Sequence, residues 1–387
     1  MTVRAAARKA SERLASLKPS ATVEMTDRVR QARAAGRKVI GLSSGDPNIA
    51  TDPRIVAAAE RALARGDTHY ATPAGQPELR AAIARREAVR CGAAYDPADI
   101  LVTPGGKFAL LAALMGAIEP GDEVIVPQPG WVSYGPCVRL AGGVPVALAM
   151  LDRVDPAALA AAVTVRTRAV ILNSPANPTG RILRADEIAA VVDLAQRRGL
   201  WLIFDQVYAD LAYGEPVAFP QASEGGRQCT LVVDSLSKTF GMTGWRLGYL
   251  AAPSVLARPI LKFLQHSIYC VAPFIQAAGV AALALFDELA PAHRATFRRR
   301  LERAAARLSA VEGIACPMSD ATFYLFPAID GDDVATAKHW LDAFDVAVLP
   351  GSAFGEAGAG HLRLSLTASD EELDDAFDRI ARAGIIK

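Results

Sequence analysis

The stretch "DSLSKTFGMTGWRLGY", residues 234–249, sets Lys238 among the hydroxyls of Ser235, Ser237 and Thr239. The apolar run at 231–233 precedes it, and Arg246 follows eight residues later. An amine held just past a buried strand can attack a carbonyl carbon or carry a proton. Similar polar groups follow four other apolar runs. "ILVT" (100–103) leads into Pro104-Gly105-Gly106-Lys107, and "EVIV" (123–126) leads into "PQPGWVSY", with Trp131 and Tyr134. "AVIL" (169–172) leads into "NSPANPTG", with Asn173 and Asn177, and "WLIF" (201–204) leads into Asp205 and Tyr208. The set comprises an anion cradle, a flat aromatic, an amide, a carboxylate, a phenol and an amine.

Singly, each has an ordinary structural explanation. Gly-Gly before a helix is a turn, an Asp after a strand caps a helix, and "NPTG" is a turn sequence. Their meaning depends on the elements that carry them. The five apolar runs read as buried strands, and their unbroken apolar character suits a sheet covered on both faces. Helix candidates at 107–118 and 185–199 lie between them; Asp186 is the expected cap of the second and Gly199 its expected end. This alternation predicts an α/β domain with a mostly parallel sheet. Such sheets bind ligands at the carboxyl ends of their strands, so all five polar sets are expected on one rim.

After about residue 290 the texture changes. Residues 291–313 read as a long basic amphipathic helix, followed by short strands at 322–326, 346–350 and 361–366 and a last helix from Ser369. This predicts a smaller α+β domain, with the N-terminal 45 residues packed against it.

Composition narrows the function further. The 387 residues are 51% hydrophobic, enough for a large core and a second, smaller one. A net charge of +1 gives no electrostatic reason to expect nucleic acid or an anionic membrane surface. The five cysteines, Cys91, Cys137, Cys229, Cys270 and Cys316, are scattered without a C-x-x-C pair, which points to neither a disulfide framework nor a metal site. The first 20 residues are charged, with no secretory pattern, and no apolar run approaches transmembrane length. A cytoplasmic protein is expected.

The rim residues match the needs of pyridoxal 5'-phosphate. A lysine forms a Schiff base with its aldehyde. Its phosphate suits a helix N-terminus, hydroxyls and an arginine. Its ring suits an aromatic face, and its pyridine nitrogen a carboxylate.

In the order and spacing of its motifs, the chain resembles the class I aminotransferases of pyridoxal-phosphate fold type I, above all the bacterial aspartate aminotransferase branch. The motifs are "LKPSATV" (17–23), "GDPN" (45–48), "YATPAGQPELR" (70–80), "VTPGGKFAL" (102–110), "GWVSY" (130–134), "NPTG" (177–180), "FDQVY" (204–208), "SLSKTFGMTGWRLGY" (235–249) and "RLSL" (363–366). The resemblance implies a mostly parallel seven-stranded sheet in a large domain, 46–288, and a small domain built from 1–45 and 289–387.

It also implies roles. Lys238 matches the Schiff-base lysine that moves the substrate proton, Asp205 the partner of the pyridine nitrogen, and Asn177 and Tyr208 the donors to the ring oxygen. Trp131 matches the residue stacked on the ring. Gly106, Lys107, Ser235 and Arg246 match the phosphate site, joined by Tyr70 from the other subunit of a homodimer. Arg363 matches the arginine gripping the substrate α-carboxylate, with Gly45 beside it. Lys107, Ser20 and Thr22 match groups that help bind a distal carboxylate. The implied reaction is ping-pong transfer of an amino group between an acidic L-amino acid and a 2-oxo acid. Aromatic, aliphatic or prephenate-type substrates are the alternative, as is a lyase, decarboxylase or oxidase on the same fold. Ala176, Gln206 and Asp320, in "SDATFY", depart from the usual pattern; the last two are expected to alter the pocket or its surroundings.

Overall fold

The computed structural model describes residues 10–214 and 216–387. Residues 1–9, which open the charged N-terminal stretch and the expected 1–45 contribution, lie outside the described residues. A seven-stranded sheet forms the centre. Its order is Ile100–Thr103, Gly248–Ala251, Thr230–Ser235, Trp201–Asp205, Thr167–Asn173, Glu123–Gln128 and Val144–Ala149. Only Gly248–Ala251 runs antiparallel to its neighbours. The other six strands therefore end at one edge, as the sequence predicts.

Both faces of the sheet are covered, which accounts for the unbroken apolar runs. Side chains alternate across a strand. Leu231, Val233 and Ile203 join the core under helices Gly106–Ala117 and Ser254–Ser267. Val232 faces the other side with Leu79 and Ile83, and Leu202 and Phe204 meet Val191 and Val192 of helix Ala185–Arg198. Gly199 ends that helix at φ +63°, as expected. Asp186 is not its cap. Arg184 holds that position, its N–H donating to Glu187 Oε2 at 2.9 Å, while Asp186 lies in the first turn.

The long basic helix runs Phe286–Ser309, so it begins earlier than the predicted 291 and carries Pro291 inside it. Burial of Leu289 and Ala290 fastens the turn that proline would otherwise open. Along its exposed side Arg300, Arg303 and Arg307 pair with Asp370, Asp374 and Asp378 of the last helix, Asp370–Ala383. Ser369 caps that helix through a hydroxyl that accepts from Glu372 N at 3.1 Å.

A second core lies around the terminal strands. Tyr324–Leu325 and Leu349–Pro350 flank Leu362–Ser365, all antiparallel. Ile40–Gly41 pairs in parallel with Val346–Ala347. Ile40 and Leu42 thereby share a core with Leu301, Trp340, Leu364 and Phe377. All five cysteines are free. Among the described residues, no single helix is long and apolar enough to cross a membrane.

Candidate active site

The carboxyl edge of the sheet opens on a cleft of about 280 Å³. At one end, Gly105 at φ +86° turns the chain from strand Ile100–Thr103 into helix Gly106–Ala117. The first-turn N–H groups of a helix have no carbonyl behind them and attract anions. Space here is set by glycine. A Cβ on Gly105 would lie 2.6 Å from Arg246 Nη2, and one on Gly248 would lie 2.7 Å from Gly106 N. Arg246 adopts φ +54°, and its Nη1 donates to Thr243 O at 2.9 Å. Ser235 ends strand Thr230–Ser235 and lines the cleft beside these groups. N–H groups, a hydroxyl and a guanidinium around a tight cradle form a donor set for a phosphate.

In the middle of the cleft Asp205 ends strand Trp201–Asp205, in register with Asn173 of the neighbouring strand. Asp205 Oδ2 accepts from the Tyr134 hydroxyl at 2.8 Å, and Oδ1 accepts from Val207 N at 3.2 Å. Burial pushes its carboxyl up to about 6, against the pull of those two hydrogen bonds. The Asn173 amide donates to Pro175 O and to Asp205 O, at 3.1 and 3.0 Å. Its Oδ1 accepts from Asn177 N at 2.8 Å. Asn173 therefore pins the turn that presents Asn177. Trp131 stands edge-on to Tyr134, with ring centroids 5.5 Å apart, and the Lys107 ammonium lies 5.2 Å from the Trp131 ring.

Lys238 reaches across to the other core. Its Nζ donates to Gly45 O at 2.6 Å. Burial pushes the amine down to about 8, opposed by the Asp46 carboxylate. Arg363, on strand Leu362–Ser365, is only 2% exposed. Its Nη1 donates to Asn177 Oδ1 at 3.1 Å and its Nη2 to Ser43 O, while Nε has no partner among the described residues. Its guanidinium lies over the Tyr324 ring, 4.5 Å from the centroid. Among the described residues no carboxylate pairs with it, and an unpaired buried guanidinium is costly, so this one suits an anionic ligand. The Tyr208 and Tyr324 hydroxyls are 2.9 Å apart.

Every expected site residue except Tyr70 lines this cleft, including Gly45, Ser20 and Thr22. Tyr70 is 85% exposed and packs on Tyr269, centroids 4.7 Å apart. The role expected of Tyr70 is in the cleft of a second subunit.

The family model described as aminotransferase class I and II matches residues 37–380. The chain belongs to this family. It is 36% identical to an aspartate aminotransferase of Geobacillus stearothermophilus, over 97% of this chain and 98% of that protein. It is 37% identical to an aspartate/prephenate aminotransferase of Cereibacter sphaeroides, over 96% and 97% of the two chains. The structure of the aspartate aminotransferase of Thermus thermophilus with maleate superposes with a TM-score of 0.93 at 36% identity, covering 97% of this chain and all of the other.

This aminotransferase is thus an enzyme that depends on pyridoxal phosphate, and its residues fit that group. The glycine cradle with Arg246 and Ser235 suits the phosphate, and the buried Asp205 suits a protonated ring nitrogen. Seven residues of the cleft lining carry no expected role, and three of them make the contacts described above: Tyr134, Asn173 and Tyr324. Tyr134 and Asn173 sit in stretches with visible signals, "GWVSY" and "NSPANPTG", but no local pattern shows that both converge on Asp205. Tyr324 reads as an ordinary core aromatic, and it is fully buried.

The three departures do not line the cleft. Gln206 turns behind the sheet edge, where its amide donates to Glu87 Oε1 at 2.9 Å. Asp320 meets the backbone of Tyr213 and Ile182 beside the "NPTG" turn. Of the two places expected for Gln206 and Asp320, the pocket or its surroundings, both residues take the second.

Proposed function

We propose that this aminotransferase moves the amino group of aspartate, or another acidic L-amino acid, to a 2-oxo acid such as 2-oxoglutarate. The two half-reactions use one cleft in turn, a ping-pong scheme. One observation carries this reading: Arg363 and Lys107 line the same cleft as Lys238. A dicarboxylate has two anionic ends, and besides Lys238 and Arg246, which are assigned to the cofactor, the cleft offers the cations Arg363 and Lys107. Ser20 and Thr22 add hydroxyls. The name of the Geobacillus relative supports the reading, as does the maleate, itself a dicarboxylate, in the Thermus structure.

Pyridoxal phosphate, when bound, supplies an aldehyde that takes up the amino group and a ring that draws electrons from the α-carbon. The chain does the rest. Ser235, Arg246 and the backbone N–H groups of Gly106 and Lys107 at the helix start would hold the phosphate end, and Trp131 would lie against the ring. Asp205 would keep a proton on the ring nitrogen, while Asn177 and Tyr208 would donate to the ring oxygen. Arg363 grips the substrate α-carboxylate as a two-pronged pair, beside Gly45. Lys238 would hold the aldehyde, and its Nζ would take and return the α-carbon proton. An amine pushed down to about 8 is partly neutral near physiological pH, as a base must be.

The name of the Cereibacter relative favours prephenate as a second oxo-acid substrate. Prephenate also carries two carboxylates, so Arg363 and Lys107 suit it equally.

The proposal extends to a cytoplasmic homodimer with shared sites. Tyr70, exposed and outside its own cleft, is free to reach the phosphate of the other subunit. The division expected from the sequence, 46–288 against 1–45 with 289–387, belongs to the same proposal; pairing of Ile40 with Val346 supports it.

The test is a half-reaction screen. The loaded enzyme is mixed with single amino acids, without an oxo acid, and the cofactor's visible absorbance is followed. Aspartate and glutamate should convert it stoichiometrically and faster than leucine. Lys107→Ala should raise KM for aspartate and leave that for leucine unchanged. Equal effects on both would remove the acidic-substrate reading.

A further inference from the structure

Thr239 directly follows Lys238, yet it lies outside the cleft. Its hydroxyl donates to Asp210 Oδ2 at 3.0 Å, and its carbonyl lies 2.8 Å from His293 Nδ1. Asp210 is held from two sides, by Arg86 Nη2 at 2.5 Å and by Arg90 Nη2 at 2.9 Å. The other terminal nitrogen of Arg90 donates to Asp234 Oδ2 at 2.6 Å and to Glu87 Oε1 at 2.8 Å. The Tyr249 hydroxyl faces the same two oxygens, at 2.9 and 2.7 Å. So does the Gln206 amide, at 3.3 and 2.9 Å. Gln221 Nε2 donates to Gln206 Oε1 at 2.9 Å and thereby fixes which end of that amide faces the carboxylates. The cluster is buried: Glu87 and Gln206 are fully so, and the Arg90 and Asp210 side chains are 7% and 8% exposed.

The positions of these residues in the chain give the cluster its meaning. Gln206 follows Asp205, Asp234 precedes Ser235, and Thr239 follows Lys238. Asp234 Oδ1 also accepts from Ser235 N at 2.6 Å. One buried cluster thus grips the neighbours of the residues assigned above to the ring nitrogen, the phosphate and the aldehyde. We infer that the Thr239–Asp210–Arg90–Asp234 cluster is a positioning device for the cofactor, fixing Asp205, Ser235 and Lys238 relative to one another from behind the sheet edge. None of its side chains lines the cleft, so they act through the backbone and not by contact.

The charges explain the amide at 206. Three carboxylates, Glu87, Asp210 and Asp234, already face two guanidiniums. Burial raises the Glu87 and Asp234 carboxyls, and Arg90 opposes it. An acid at 206 would bring a fourth carboxylate against two others, whereas Gln206 donates to both. Buried networks of this kind hold geometry only when their members stay paired.

The inference rests on the proposed roles of Lys238, Ser235 and Asp205. Its test uses Thr239→Val, which keeps the shape and removes the hydroxyl, Thr239→Ser, which keeps the hydroxyl, and Gln206→Glu. Pyridoxal phosphate is titrated into each cofactor-free protein, and melting is recorded with and without it. Thr239→Val should bind the cofactor about tenfold more weakly, the scale of one hydrogen bond to a charged group. Gln206→Glu should also bind it more weakly, and Thr239→Ser should restore the parent affinity. The rise in melting temperature on loading should shrink accordingly in the weakened variants.

Two results would overturn the device: Thr239→Val losing equal melting temperature in both forms at unchanged affinity, or Thr239→Ser binding as weakly as Thr239→Val. Borohydride reduction and peptide mapping separate the underlying assignment. Reduced cofactor attached to a residue other than Lys238 defeats that assignment. Attachment at Lys238 with parent affinity in Thr239→Val defeats the positioning device alone.

Discussion

Tyr134 donates its hydroxyl hydrogen to Asp205 at 2.8 Å, and both side chains are buried. The bond orients the carboxylate from below and holds it partly charged in a place that disfavours charge. Asp205 is therefore costly to the folded chain and useful to the site.

That cost is measurable in the cofactor-free protein. The Asp205 carboxyl is raised from its ordinary 3.8 to about 6 in the fold. Between those values the folded chain binds a proton that the unfolded chain does not, so this group's contribution to stability falls as pH rises through the window. The stability of Asp205→Asn relative to the parent should therefore grow by on the order of 3 kcal/mol between about pH 4 and about pH 7. Urea unfolding at the two pH values measures it. A constant difference would mean that the carboxylate is effectively solvated.

Lys238 offers a second titration. In the cofactor-free protein an amine-selective acylating reagent should modify Lys238 with a midpoint near pH 8, where burial has pushed its amine. Peptide mapping across a pH series gives that midpoint. A value in the ordinary lysine range would remove the basis for its role as a base.

Arg363→Lys keeps the charge and loses the planar fork. Loss of one hydrogen bond to a charged group, about 1.5–3 kcal/mol, predicts a roughly 10- to 150-fold fall in kcat/KM for aspartate. Cofactor affinity should stay at the parent value, because Arg363 is assigned to the substrate. A fall in affinity without a change in kcat/KM would move it to the cofactor.

Gly45 is required for space. A Cβ there would stand 2.7 Å from the Tyr324 hydroxyl and 4.0 Å from Lys238 Nζ. Gly45→Ala should therefore raise KM, and adding Tyr324→Phe should recover part of the loss by removing the crowded oxygen. A double variant no better than Gly45→Ala would place the strain in the backbone.

Shared sites predict complementation. Tyr70→Ala and Lys238→Ala proteins, mixed and refolded together, should regain activity in the hybrid that carries one intact cleft. Proven heterodimers without recovered activity would exclude the arrangement.

Much of this molecule was legible in its sequence, for a physical reason. The strands at 100–103, 123–126, 169–172, 201–204 and 231–234 are apolar on both faces because helices cover both. Val144–Ala149 escapes notice because it is an edge strand, half-exposed, with Pro145 in it. Gly248–Ala251 escapes because its first residue has no side chain; a Cβ there would strike the Gly105–Gly106 backbone. The polar rim was readable because each group follows a strand. The bond from Tyr134 to Asp205, the place of Tyr324 and the Arg90 cluster were not, since the partners lie far away in sequence. The partners of Arg90 run from Glu87 to Tyr249, and only the folded sheet brings them together.

The 24-residue helix Phe286–Ser309 has a further consequence. Leu289 near its start belongs to the core beside the central sheet, and Leu301 to the core of the terminal strands. At about 1.5 Å per residue it is a strut roughly 36 Å long joining the two. Lys238 stands on one bank and Arg363 on the other, so a substrate that touches both ties the banks together. Occupancy should therefore register as stiffness along the whole strut, far from the reacting atoms.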